Sequence, residues 1–292
     1  MRPADADARG PPPRRGNAPR PARPHRPRLR RGRVPAPRRG RQAGAAAVSA
    51  GRTLATARRV LRQLVHDRRT VALLLLVPLF LLMLLRYVFD DDPRLFDRVG
   101  ASLLGIFPLI TLFLVTSVAT LRERGSGTLE RLMAMPLGKG DLIAGYALAF
   151  GAFALLQAAL ATAVAVGPLG LDIAGSPWLL LVMAELTALL GIAIGLFVSA
   201  FASSEFQAVQ FMPAVIIPQI LLCGLFAPRA SMQPVLENLS DILPMSYSVD
   251  AMTGVLNSTA VPDHFARDVL VVLGFALGFL ALGAVTLRRR TP

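Results

Sequence analysis

The sequence predicts an all-α, polytopic membrane protein with six membrane-spanning helices. Hydrophobic residues make up 53% of the 292 residues, and only 17% are charged, whereas a soluble domain usually carries about a quarter charged residues. The mean hydropathy is +0.52. Six apolar stretches follow one another along the chain, each close to the roughly 20 residues that a helix needs to cross a bilayer. Water is therefore not the solvent for most of this chain.

The basic charge lies mainly ahead of the apolar stretches. The net charge is +14, and 20 of the 32 basic residues precede residue 70, so the charge does not indicate a nucleic-acid-binding face. Residues 1–44 are rich in Arg and Pro and contain few large apolar residues, which predicts a disordered cytoplasmic tail. We interpret this segment as a solvated tail or a start assigned too far upstream. The alternative is an electrostatic tether to anionic lipids.

Residues 45–70 are predicted to form an amphipathic interfacial helix, an elbow ahead of the six-span domain 71–292. Apolar residues recur at spacings of three and four from Leu54 through Leu61 to Leu64, and arginines fill the other face. Such a helix lies in the headgroup plane of a bilayer. The alternative is that this segment is the extramembrane start of the first span.

The six apolar stretches are residues 71–89, 99–121, 142–166, 177–202, 206–226 and 269–287. Pro213 and Pro218 remove backbone donors within the fifth stretch, so we expect a kink there. Residues 227–268 form the longest connection in the apolar part, and a structureless loop of this length is unusual. Its apolar patches predict short re-entrant helices at the outer interface, before the last span.

Orientation follows from the excess of basic residues on one side, because cytoplasmic flanks carry more Lys and Arg. The richer side contains Arg58, Arg59, Arg62, Arg68, Arg69, Arg122, Arg124, Arg131, Lys139, Arg288, Arg289 and Arg290. The poorer side contains Arg94, Arg98, Arg229 and Arg267, together with several acids. Both termini are therefore predicted to be cytoplasmic. A composition rich in Ala, Arg, Gly and Pro favours a bacterial source and hence a bacterial plasma membrane.

No motif indicates an enzyme, a cofactor or a metal site. The Gly138–Lys139 pair has Met133 where a phosphate-binding loop needs its first glycine. The three histidines fall in separate segments, and a single cysteine, Cys223, allows no internal disulfide or cysteine cluster. Whatever energy drives this protein is therefore supplied by something other than a nucleotide site of its own.

The loop between the second and third spans is the most informative polar segment. It reads RERGSGTLERLMAMPLGKGD over residues 122–141, and its glycines and Pro136 predict a short helix over 128–135. Mixed charges beside apolar residues suit a contact with a soluble partner. The candidate contact residues are Glu123, Arg124, Gly127, Thr128, Leu129, Glu130, Arg131, Leu132 and Pro136. The alternative is an ordinary solvated loop.

This loop, RERGSGTLERLMAMPL, closely resembles that of type-2 ABC transporter permeases. FASSEFQAVQFMPAVIIPQILLCGLFAPRASM at 201–232 and LPMSYSVDAM at 243–252 resemble the C-terminal region of that family, especially in exporters of the daunorubicin-resistance type. The resemblance covers about 52–290. It implies an elbow helix, a cytoplasmic coupling helix in the loop, and re-entrant helices before the last span. It also implies two copies of an ABC ATPase subunit on a permease homodimer or heterodimer.

The expected function is that of the permease subunit of an ATP-driven exporter. It would move a hydrophobic or amphipathic molecule, such as a drug, a secondary metabolite or a lipid, by alternating access. Two alternatives stay open, a proton-coupled carrier and a non-transporting assembly or immunity factor. A neighbouring ABC ATPase gene would favour the exporter over both.

Polar groups inside the spans are candidate pathway residues, namely Gln157, Glu185 and Gln219. An unpaired charge at Glu185 would cost at least ~2.5 kcal/mol in the bilayer, so it should face protein or water. The alternative for each is interhelical hydrogen bonding. Two pairs of glycines at a spacing of four, Gly191 with Gly195 and Gly274 with Gly278, predict close helix packing.

Overall fold

The computed structural model describes residues 49–134 and 137–286, so the predicted tail 1–44 lies outside the described residues. Every regular element within those ranges is a helix. The α-helices are α1 (Ala50–His66), α2 (Arg68–Val88), α3 (Pro93–Gly125), α4 (Thr128–Ala134), α5 (Lys139–Val166), α6 (Pro177–Ser199), α7 (Glu205–Leu222), α8 (Pro234–Ile242), α9 (Pro244–Asn257) and α10 (Phe265–Thr286). A single 3-10 turn covers Arg229–Ser231.

Six of these helices, α2, α3, α5, α6, α7 and α10, are long and apolar enough to cross a membrane. The predicted all-α fold with six spans is confirmed, and the chain is a multi-pass membrane protein. α3 and α5 extend beyond their predicted apolar stretches, whereas α6 ends at Ser199 and α7 at Leu222, before their stretches do. α3 runs for 33 residues from Pro93 because Asp92 caps its first turn, with its side chain accepting the Leu95 N–H, and because Pro93 suits the first helical position.

A break at Asp67 separates α1 from α2. The Asp67 carboxylate accepts the Thr70 hydroxyl at 2.6 Å and the Thr70 N–H at 3.2 Å. These hydrogen bonds hold the pKa of Asp67 below its usual range. Arg68 and Arg69 consequently belong to the helix of the first span. The division of the chain at residues 44 and 70 stays a prediction.

α1 packs its apolar face against α5. Val60 and Leu64 are buried, whereas Leu54 and Val65 are exposed. The approach is close, since a Cβ added at Gly145 of α5 would lie 2.6 Å from the Thr56 Cβ. α1 therefore buries one apolar face, but Leu54, which was predicted to lie on that face, is exposed. The placement of α1 in the headgroup plane stays a prediction.

α3 and α6 cross at the centre of the bundle with their backbones in contact. A Cβ added at Gly191 would lie 2.4 Å from the Leu109 carbonyl oxygen, and one at Gly195 would lie 2.7 Å from that of Phe113. This glycine pair forms the close packing that the sequence predicted. The other long helices surround this pair. α5 and α10 pack against α6, whereas α2 and α7 pack against α3.

The second glycine pair makes no close helix contact among the described residues. A Cβ added at Gly274 or Gly278 of α10 would meet no described atom within 4 Å. The two glycines line an apolar groove with Phe275, Phe279 and other α10 residues. The prediction of close packing is therefore wrong for this pair among the described residues. The spacing of the glycines indicates only that another helix can approach this face closely. Whether one does depends on where the neighbouring helices lie.

The short helices predicted within 227–268 are present as α8 and α9. Arg229 ties them together because its Nε donates to the Ser240 Oγ at 2.9 Å while its other nitrogens pair with Asp241 and Asp250. Its guanidinium also stacks over the Tyr247 ring, 5.9 Å from the centroid. Whether α8 and α9 enter the bilayer stays a prediction.

Candidate functional site

The loop between α3 and α5 folds into the short helix α4. Gly127 has a φ of 70°, a conformation that glycine adopts without strain, and it turns the chain from α3 into α4. The hydroxyl oxygens of Ser126 and Thr128 lie 2.9 Å apart at the start of this helix. The predicted helix 128–135 thus matches α4 in position. Pro136 lies outside the described residues.

α4 presents one side to the bundle and another to solvent. Leu132 is 8% exposed and belongs to an apolar cluster that includes Val60 of α1 and Ile143 of α5. Arg131 is exposed. The side chains of Leu129 and Glu130 are outside what the structure describes. A partner that contacts this surface would therefore push on a helix whose Leu132 is already buried in this cluster.

The Glu123 carboxylate, near the C-terminal end of α3, joins three helices. Arg59 of α1 makes two hydrogen bonds to Glu123 of α3, Nη1 to Oε1 at 2.9 Å and Nη2 to Oε2 at 3.2 Å. The Tyr146 hydroxyl of α5 donates to the same carboxylate. Such a forked pair is among the stronger polar contacts in proteins. We call Arg59, Glu123 and Tyr146 the base triad.

Two further contacts fix the ends of the neighbouring helices. The Arg124 Nη1 donates to the Ser199 carbonyl oxygen at 2.5 Å, at the C-terminal end of α6. The Asp141 carboxylate accepts the Ser49 and Gly138 N–H groups at 2.5 and 3.0 Å and pairs with Arg52 at 3.0 Å. The ends of α1, α3, α5 and α6 are therefore tied together around α4.

Two of the charged residues predicted to dock a partner are bonded within the chain instead. Glu123 and Arg124 were expected to meet a partner directly, but their side chains bond within the chain. Arg131 is the described charged residue that stays exposed on α4. Sequence reasoning missed Arg59 and Tyr146 as members of this site. A bulky tyrosine early in an apolar helix was the available signal, but its partner depends on how α1 crosses α5.

The three candidate pathway residues lie in different environments. Gln157 is buried on α5 and donates from its Nε2 to the Thr111 Oγ1 of α3 at 3.0 Å. The Glu185 Oε1 lies 3.6 Å from the position of a Cβ at Gly151 on α5, and its buried Oε2 has no hydrogen-bond partner in the described chain. Gln219 donates to the Val215 carbonyl oxygen of its own helix. A shared pathway stays a prediction.

The match to known sequences covers most of this helical architecture. The ABC-2 type transporter family matches residues 52–257, which is more than half of the chain. The chain belongs to the ABC-2 type transporter family. The match starts within α1 and ends with α9, so the ABC-2 region contains α4, the base triad and five of the six span helices. This confirms the predicted resemblance to type-2 ABC transporter permeases.

Two of the relatives of this chain are named as probable multidrug ABC transporter permeases. The chain is 30% identical over 152 residues to the probable multidrug ABC transporter permease YbhR of Escherichia coli (strain K12), covering 52% of this chain and 41% of YbhR. It is 26% identical over 178 residues to YbhS of the same strain, covering 61% and 47%. Nodulation protein J of Neorhizobium galegae is 29% identical over 174 residues, covering 58% and 64%. The chain spans less than half the length of YbhR and YbhS.

Proposed function

We propose that this chain is the permease subunit of an ATP-driven exporter. The observation that carries the proposal is α4, a short helix next to α3 whose Leu132 is buried in an apolar cluster shared with α1 and α5. The chain carries no phosphate-binding loop motif. A separate ABC ATPase subunit therefore hydrolyses ATP in this proposal, and α4 receives its movement.

Coupling passes from α4 into the bundle through rigid contacts. An ATPase that displaces α4 acts on Leu132, which belongs to an apolar cluster with residues of α1 and α5. The base triad then holds α1, α3 and α5 together so that they move as a unit. Arg124 extends this connection to the end of α6. The spans pass the movement to the transport pathway, which opens to one side of the bilayer at a time.

The end of the bundle that carries α1 and α4 faces the cytoplasm of a bacterial cell in this proposal. The basic flanks described above support this orientation through the positive-inside rule. The N-terminus and the C-terminus are then both cytoplasmic, and α8 and α9 lie at the outer face of the plasma membrane. The E. coli relatives support a bacterial membrane.

Two permease copies form the transporter, either two of this chain or this chain with a related one. The exposed face of α7 supports this step, because Pro213 and Pro218 leave the carbonyls of Val209 and Ala214 without their helical donors. Gln210 is also exposed there. Unsatisfied polar groups are costly in hydrocarbon, so we assign this face to a protein contact.

The proposed cargo is a hydrophobic or amphipathic molecule. YbhR and YbhS are named as probable multidrug permeases, which supports this class of cargo. The six spans expose mainly apolar side chains. Stimulation of ATP hydrolysis by candidate molecules, measured on the purified complex with its ATPase, would identify the cargo.

Reversing charge on α4 tests the coupling. In the double variant Glu130→Arg and Arg131→Glu, we expect normal membrane insertion but ATP hydrolysis that no longer drives export. Export should fall by roughly tenfold or more, the effect of losing ~1.4 kcal/mol at an interface. Arg58→Glu, an exposed site on α1, is the matched control. If the double variant exports as well as the native chain, α4 does not couple the ATPase to transport.

A further inference from the structure

A polar cavity of about 1350 Å³ lies at the end of the bundle that carries α8 and α9. Its walls come from these two helices, from the start of α3 and from the connection 258–264 between α9 and α10. His264, the last residue before α10, lines the cavity, and its side chain is 40% exposed. Of the other two histidines, His66 belongs to α1 and His25 lies outside the described residues.

A buried carboxylate lies behind His264. Asp268 is in the first turn of α10, and its side chain is 0% exposed. Arg267 donates to the Asp268 Oδ1 from its Nε at 2.9 Å and from its Nη2 at 2.8 Å. The Asp268 Oδ2 is also buried, and it has no hydrogen-bond partner among the described residues. Because a buried acceptor without a donor is costly, a donor at Oδ2 would stabilise this end of α10.

The His264 ring is placed to supply that donor. Its Nε2 lies 3.9 Å from the Asp268 Oδ2 and 3.4 Å from the Asp250 carbonyl oxygen of α9. A shift of about 1 Å would bring Nε2 to Oδ2 at the length of a charge-assisted hydrogen bond. Arg267 stacks over the Tyr247 ring of α9, 5.6 Å from its centroid, so α9 and α10 already meet here. Nε2 therefore faces one acceptor on each of two touching helices.

The charges around His264 favour a positive ring. Element by element, the charged and titratable groups are Arg98 of α3, Arg229 of the 3-10 turn, Glu237 and Asp241 of α8, Tyr247 and Asp250 of α9, Asp263 of the connection, and Arg267 and Asp268 of α10. Arg229 pairs with Asp241 and Asp250, and Arg267 pairs with Asp268. Acids outnumber arginines in this set, so its net charge is negative.

We propose that His264 is a pH-sensitive latch between α9 and α10. At acid pH the ring takes a proton from solvent, and its Nε2 donates to the Asp268 Oδ2 while the ring stays against the Asp250 carbonyl oxygen. This ties the first turn of α10 to α9. At alkaline pH the ring is neutral and the charge-assisted bond is lost. Histidine changes charge between about pH 5 and 8, so the latch closes and opens in that range.

The latch goes beyond the proposed function. In the orientation proposed above, α8 and α9 lie at the outer face, so the latch would respond to the pH outside the cell. That last step rests on the proposed function. The latch itself requires neither ATP, cargo nor an ATPase subunit, so it is tested separately from export.

Amide hydrogen exchange of the full chain in nanodiscs tests the latch. Exchange is followed by mass spectrometry at about pH 5.5 and about pH 8, on either side of the histidine range, and each rate is divided by the intrinsic rate at that pH. We expect residues 258–268 to exchange roughly threefold to fivefold more slowly at the acid pH, the scale of a partly exposed ion pair. His264→Gln stays neutral and should abolish this difference. His66→Gln, at an exposed position of α1, is the matched control and should retain it.

Two more variants make the test decisive. His264→Lys carries its charge at both pH values, so residues 258–268 should exchange slowly at both. Asp268→Asn should abolish the difference, and if this buried substitution prevents folding, the variants of the partly exposed His264 decide the outcome. A difference that persists in His264→Gln, or its absence from the native chain, would overturn the latch. Either result would leave the proposed coupling through α4 untouched.

Discussion

At the scale of single residues, Gly191 shows how little room the centre of the bundle allows. Gly191→Ala places a Cβ 2.4 Å from the Leu109 carbonyl oxygen, so the two helix backbones must move apart. We expect the free energy of unfolding to fall by about 1–3 kcal/mol, the usual cost of overpacking. Thermal unfolding in detergent measures the change.

Gly278→Ala is the matched control, since a Cβ there meets no described atom within 4 Å. In detergent it should unfold at or slightly above the native temperature, because alanine favours a helix by about 1 kcal/mol over glycine. Equal destabilisation by both substitutions would show that the contact with α3 does not determine the effect.

Glu185 separates the exporter from a proton-coupled carrier. Glu185→Gln removes a titratable group while keeping nearly the same shape, and its Oε2 has no described hydrogen-bond partner to lose. We expect ATP-driven export to persist within about twofold, a change of roughly 0.4 kcal/mol, because glutamine keeps the shape of the side chain and Oε2 loses no described hydrogen bond. Transport assays in vesicles, with and without a proton gradient, measure this. Loss of export with intact ATP hydrolysis would favour proton coupling.

At the scale of elements, the sequence predicted most helices but not their contacts. Apolar length defined the six spans, and Gly127 defined the start of α4. The break at Asp67 was missed because the arginines on both sides fit an uninterrupted amphipathic pattern. Arg58 and Arg59 are equivalent in sequence, yet only Arg59 is described as pairing with Glu123. That choice depends on the rotation of α1 against α5.

The base triad should control how firmly α1 is held. Arg59→Gln removes the charge that faces Glu123, whose side chain is 12% exposed. Because Arg59 is partly solvated, we expect a loss of only about 1–2 kcal/mol, between surface and buried ion pairs. Amide hydrogen exchange should become roughly tenfold faster along α1. Arg58→Gln should leave the exchange unchanged, and similar acceleration in both variants would contradict the assignment.

At the scale of the whole molecule, the arrangement of the spans was beyond sequence reasoning. Lipid is as apolar as leucine, so hydrophobicity does not specify which face of a span packs inward. The glycine pairs of α6 and α10 have the same spacing, but only the pair on α6 contacts another helix among the described residues. Small residues permit two helices to approach closely. Whether they do so depends on a complementary surface on the neighbouring helix, which α3 provides for the glycine pair of α6.

The proposed pairing of permeases predicts where two copies meet. In a Cys223→Ala background, we expect Ile217→Cys on the exposed face of α7 to form a disulfide between copies in native membranes. Leu277→Cys is the control, because it is similarly exposed on α10, at 56% against 49% for Ile217. Non-reducing gel electrophoresis measures the product. Cross-linking at α10 with none at α7 would move the interface to the other helix.

The crossing of α3 and α6 lies at the midpoint of α3. Gly191 contacts Leu109, and sixteen residues separate Leu109 from each end of α3, at Pro93 and at Gly125. Each arm is therefore about 24 Å long. Pro108 removes a backbone hydrogen bond beside this point, so a bend would occur there too. A tilt of α3 about the crossing would therefore move its two ends by equal distances in opposite directions. Where one end of α3 moves inward and narrows the bundle, the other end moves outward and widens it.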